Sequence, residues 1–126
     1  MAKRIIYTEA APDPIGPYSQ AVFINGMLFV SGQIAIDPFS GTLIQDSIEK
    51  ETKQVMDNIA AILDAAEMDF SNVVKSSIFL SDIGTFPKVN EVYGKYFLEN
   101  PPARETVEVA KLPRNVNVEI SVIASR

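Results

Sequence analysis

Two apolar runs of four residues, AVFI and MLFV, flank Asn25-Gly26 within residues 21–30. A two-residue type I′ turn needs positive φ at both central positions, and Asn-Gly supplies it, so the segment predicts a β-hairpin. Its second strand runs into Ser31-Gly32-Gln33. From residue 46 the apolar spacing lengthens. Ile48, Val55, Met56, Ile59, Ile62, Leu63 and Ala66 recur near helical intervals, predicting a helix over 46–68. Asp46 and Glu49 have capping-box spacing, and Glu49 and Lys53 stand four apart on the wet face. The β-branched run NVVKSSIFLS predicts a strand over 72–81. A second helix spans about 85–98, with Pro87 in its first turn and a stripe of Phe86, Val89, Tyr93, Tyr96 and Phe97. Asn100-Pro101-Pro102 ends it. Two further strands, about 104–110 and 116–124, are joined by KLPRN. PDPIGP at 12–17 is a stiff loop and DPFSG at 37–41 a turn.

This order predicts one α+β domain over residues 1–126, with two helices covering one face of a sheet. The segments MLFV, SSIFL and VEISVIA carry apolar residues in both alternation phases. The opposite face is therefore also partly apolar, and a chain this short has nothing left to cover it. A homo-oligomer of closed symmetry resolves this.

The net charge of −5 and pI near 4.6 oppose nucleic-acid binding, which draws its affinity from Lys and Arg. The opening MAKRIIYTEAAPDP holds only a three-residue apolar run, too short for a signal segment, and no stretch approaches membrane-spanning length. The expectation is a cytoplasmic protein with no membrane partner. The chain has no Cys and no His. That removes thiol nucleophiles, disulfides, the common zinc sites and histidine triads. No spaced Asp cluster suggests a metal site. Chemistry falls to Arg, Lys, carboxylates, hydroxyls, backbone groups and water.

Arg104 stands directly behind Pro101-Pro102 at the mouth of a strand, sharing a face with Thr106 and Glu108 while Val107 and Val109 point the other way. Such an arginine is by default solvated or half of a surface ion pair. Held on a stiff backbone, it could instead clamp a carboxylate through two parallel N–H groups. Glu119 lies in NVNVEISVIA among much apolar chain. Burial there would raise its pKa toward a useful acid/base range, though a strand glutamate reaching water is the plainer reading. A tight hairpin through LPRN would set Arg104 near Ile123, not Glu119. Either the two strands are not neighbours, or the site is completed across a subunit boundary. Tyr18 lies on the stiff GPYSQ loop, and Ser31 precedes Gly32, whose lack of a side chain lets backbone N–H groups approach an anion. Asn90 interrupts the second helix's stripe, as a cap or surface residue commonly does.

Together, DPIGPYSQAV…FVSGQI, VNEVYGKYF, PPARETVEVAKLP and VEISVIA resemble the RidA (YjgF) family of imine deaminases, in order and over nearly the whole chain. The resemblance implies a chorismate-mutase-like mixed sheet with two helices on one face, assembled as a barrel-forming homotrimer with clefts between subunits. It implies hydrolysis of reactive 2-imino acids, such as 2-iminobutanoate and 2-iminopropanoate, to 2-oxo acids and ammonia, without metal or organic cofactor. Arg104 would grip the substrate carboxylate and Glu119 would orient or activate water. Tyr18, Ser31, Gly32 and Asn90 would line the cleft. Two positions depart from the usual small residues of the family. Glu105 follows the arginine, although alternation turns it away, and Val116 would narrow the cleft edge. A non-catalytic regulatory module that binds small carboxylates such as 2-oxo acids is the alternative; it keeps Arg104 and does not need Glu119.

Overall fold

The computed structural model describes residues 2–126. In chain order they form β1 (Arg4–Ile6), β2 (Ala21–Ile24), β3 (Met27–Gln33), α1 (Ile48–Ala65), β4 (Val73–Leu80), α2 (Phe86–Gly94), β5 (Ala103–Glu108) and β6 (Val118–Ser125). The strands make one mixed sheet in the order β1-β2-β3-β6-β4-β5. Only β4 and β5 are parallel, joined through α2 as a crossover unit.

Asn25 (φ 52°) and Gly26 (φ 78°) both take the left-handed conformation that the β2–β3 hairpin requires. Helix α1 begins two residues later than its apolar spacing predicts. Ser47, not Asp46, is the N-cap, its hydroxyl accepting from the Lys50 N–H at 3.1 Å. Helix α2 is shorter than 85–98: after Gly94 the N–H groups of Lys95, Tyr96 and Phe97 turn to carbonyls three residues back. The aromatic stripe persists, with Phe70 packing on Tyr96 and Phe97.

Burial alternates strictly along β6. Val118, Ile120, Val122 and Ala124 lie under the helices; Glu119, Ser121, Ile123 and Ser125 face the other way. That other face is uncovered and partly apolar, as expected. Phe29 is 46% and Val107 40% exposed there. β4 lies between β5 and β6, so the last two strands are not neighbours. No helix among the described residues is long and apolar enough to cross a membrane.

Two buried polar side chains pin the loops beside this sheet. The Gln20 amide accepts from the Thr8 N–H at 2.8 Å and donates to the carbonyls of Thr8 and Pro12, both at 3.0 Å. Glu51, on α1 and 0% exposed, accepts from both the backbone N–H and the side-chain amide of Asn117, each at 2.8 Å. It thereby fixes where the chain enters β6. Glu51→Ala would strand both donors, and a loss of about 2–4 kcal/mol is expected, read by urea denaturation at fixed protein concentration. A change within about 0.5 kcal/mol would contradict this pinning role.

Candidate functional site

Tyr18, Ser31, Gly32 and Glu119 line one cavity of ≈ 590 Å³ between the 12–20 loop and the β3–β6 pair. A β-bulge builds its floor. Val30 pairs with Val122, yet Gln33 pairs with Ile120, so β3 carries one extra residue against β6. The bulge places Gly32 directly beneath the Glu119 side chain. A Cβ on Gly32 would lie 2.5 Å from Glu119 Oε2 and 2.8 Å from its Cδ. The glycine therefore makes room for the carboxylate itself. Ser31 ties the floor to the loop: its hydroxyl donates to the Ser19 carbonyl at 2.6 Å and its N–H to the Gln20 carbonyl at 2.9 Å. Tyr18 folds back, its hydroxyl accepting from the Ile15 N–H at 3.3 Å.

Glu119 is half-buried, and burial raises its pKa above the usual carboxylate value. It has no ion-pair partner among the described residues. Its cross-strand neighbour is Phe79, which offers no hydrogen bond. The carboxylate is thus held in a poorly solvating place, seated over Gly32 on the cavity wall.

Arg104 stands elsewhere. It pairs with Ser76, which is buried beneath the helices, whereas Glu119 pairs with Phe79 on the uncovered face. The two therefore project from opposite faces of the sheet, with β4 between their strands. Helix α2 receives the arginine. Its Nη1 donates to Asn90 Oδ1 at 2.8 Å, and its Cζ lies 5.2 Å from the Phe86 ring centre and 5.1 Å from that of Tyr93. Asn90 thus holds Arg104, and the flat guanidinium lies against two aromatic rings. β5 is an edge strand, so this cationic corner is open to solvent or to a second chain. The six candidate residues accordingly form two groups, one acidic and one basic.

Glu105 turns away from Arg104, as alternation requires. It pairs with Lys75 at 2.9 Å and accepts from the Ser77 hydroxyl; these partners, Lys75 first, hold its carboxyl below the usual range. Val116 corrects the expectation of a narrowed cleft. It is 1% exposed and lies off the cavity wall. The cavity wall also holds Asp13 and Arg114, neither singled out by sequence reasoning. The only signal for Arg114 was the turn-forming Asn115 after it. Thr106 Oγ1, on Arg104's side of β5, is buried without a hydrogen-bond partner.

Six strands in one mixed sheet, two helices and a cavity lined by Glu119 define a small α+β domain. The sequence profile of the family described as Endoribonuclease L-PSP matches residues 8–126, and the chain belongs to that family, the RidA (YjgF) family. It is 49% identical over 124 residues to a RutC family protein of Pyrococcus abyssi, covering 98% of each chain. It is 46% identical to the human 2-iminobutanoate/2-iminopropanoate deaminase, covering 98% of this chain and 90% of that one. The crystal structure of E. coli TdcF with bound serine superposes with a TM-score of 0.93 at 37% identity, covering 98% of both chains.

Proposed function

We propose that the protein hydrolyses 2-imino acids to 2-oxo acids and ammonia. The observation that carries this reading is Glu119: an unpaired carboxylate with raised pKa, seated on a glycine floor in a cavity sized for a small ligand. Similarity to the human deaminase supports the reaction, and the bound serine of TdcF supports a ligand of amino-acid size. In the step proposed, the water oxygen adds to C2 of the imine while Glu119 takes a water proton. The imine nitrogen gains protons, the C–N bond breaks, and the C2 oxygen becomes the carbonyl of the 2-oxo acid. One water and one imine give one 2-oxo acid and one ammonia. Glu119 begins and ends ionised, and a pKa raised toward working pH suits it to carry protons both ways. Arg104 grips the substrate carboxylate with Asn90 steadying it, while Tyr18, Ser31 and Gly32 line the cleft. These steps draw on no cofactor.

The acidic and basic groups meet only if two chains do. A closed ring of three protomers, each presenting its β5–α2 corner to the next protomer's cavity, would bring Arg104 to Glu119 and cover the apolar sheet face. Sedimentation equilibrium at micromolar concentration is expected to give about three times 13.8 kDa. A stable monomer would sink the composite site. Gly32→Ala is expected to push the carboxylate aside and cost about tenfold or more in kcat/KM, with the assembly intact. The reaction itself is tested by coupling to a pyridoxal-phosphate-dependent dehydratase that releases imine. Faster 2-oxo acid appearance with this protein supports the reading, and an unchanged rate opposes it.

A further inference from the structure

Arg114 lies in the turn Pro113–Asn115 before β6, on the wall of the cavity that holds Glu119. Its backbone is left-handed (φ 55°, ψ 23°), and Asn115 follows at φ 55°. Two successive residues with side chains seldom hold this conformation unless their surroundings impose it. Here both ends are tied. Leu112 and Val116 are buried, and Glu51 grips Asn117. The turn is tied at both ends, which sets where the Arg114 side chain leaves the backbone, on the cavity wall.

Arg114 has no ion-pair partner among the described residues, even though it shares the wall with an acid. That acid, Asp13, accepts a hydrogen bond from the Tyr7 hydroxyl at 2.5 Å. Much of the remaining wall is apolar, from Ile15, Ile34 and Ile36. In the single chain the cavity measures ≈ 590 Å³, more than a four-carbon imino acid needs before a neighbouring corner closes on it. A guanidinium carried on a tied turn at such a wall matches a planar anion on the ligand's side chain.

Resting on the imine-hydrolase reading, we propose that Arg114 determines specificity, receiving a second carboxylate so that 2-imino dicarboxylic acids are a preferred substrate class. The bonds made and broken at C2 are those already given. Arg104 takes the carboxylate beside the imine, and Arg114 takes the distal one.

The test is calorimetric titration with 2-oxoglutarate and with 2-oxobutanoate, on the wild type, Arg114→Gln and Arg114→Lys. The wild type is expected to bind 2-oxoglutarate roughly tenfold or more tightly than 2-oxobutanoate, as one charge-assisted contact allows. Arg114→Gln should erase that preference and Arg114→Lys keep part of it. Equal affinities in the wild type would overturn the proposal, as would failure to bind either ligand. Equal loss of both ligands in Arg114→Gln would also overturn it, making Arg114 a general clamp. Binding is read without turnover. Absent imine hydrolysis would therefore sink the catalytic reading while leaving the selectivity result to stand or fall on its own.

Discussion

Arg104→Ala is expected to lose at least about 100-fold in kcat/KM on 2-iminobutanoate and most affinity for 2-oxobutanoate, with folding intact. The side chain is exposed on an edge strand, so its removal leaves no buried hole. What disappears is a flat cation held by Asn90 and laid against Phe86 and Tyr93. A carboxylate docks on that cation through two parallel N–H groups. Arg104→Lys keeps the charge but loses the fork and the planar stacking, so it should be badly impaired as well. Asn90→Ala should be milder, since it loosens the guanidinium without removing it. Near wild-type turnover in a folded Arg104→Ala variant would refute the clamp.

Glu119→Gln is expected to reduce turnover by about two orders of magnitude or more while leaving 2-oxobutanoate affinity nearly unchanged. The amide keeps the shape and can hydrogen-bond water but cannot take its proton. This variant therefore separates an enzyme from a non-catalytic 2-oxo acid binder. Unchanged hydrolysis would show the role to be wrong. Stability should move the other way. Burial raises the native pKa of Glu119, so the folded state binds its proton more tightly than the unfolded state does. The ionised group then costs stability, fully so above its native pKa, and the cost fades as pH falls toward the ordinary carboxylate value. Glu119→Gln should accordingly melt no lower than the wild type at neutral pH. For the same reason, the acid limb of the wild-type kcat/KM profile, which reports the free enzyme, should fall at a pH above the usual carboxylate range.

Local chemistry made much of the fold legible in the sequence. Asn25-Gly26 needs only its own two residues to specify a turn, and α1 shows its buried stripe through spacing alone. Alternation correctly set Glu119 apart from the apolar row of Val118, Ile120 and Val122, and Glu105 apart from Arg104. Long-range pairing was another matter. Nothing in KLPRN states that β4 will separate β5 from β6, because that order is fixed by the crossover through α2. Ser47 displaced Asp46 as the cap because either residue could fill that role and only the backbone path chose. The Asn90–Arg104 bond joins positions fourteen residues apart, and Glu51–Asn117 joins positions sixty-six apart. A buried glutamate on a helix looks like any surface glutamate until its partner arrives. Gly32 was picked out for its permissive backbone, but the space it leaves is filled by Glu119, a contact visible only once the bulge is formed.

The central claim is that each site takes Arg104 from one chain and Glu119 from another. Mixed assemblies test it most directly. Arg104→Ala and Glu119→Gln chains, each inactive alone, are coexpressed in equal amounts and purified together, and imine hydrolysis is measured. In a ring whose sites lie between chains, about a quarter of the sites regain both wild-type groups, so about a quarter of wild-type activity should return. Two inactive parents whose mixed assemblies remain inactive would contradict the composite site.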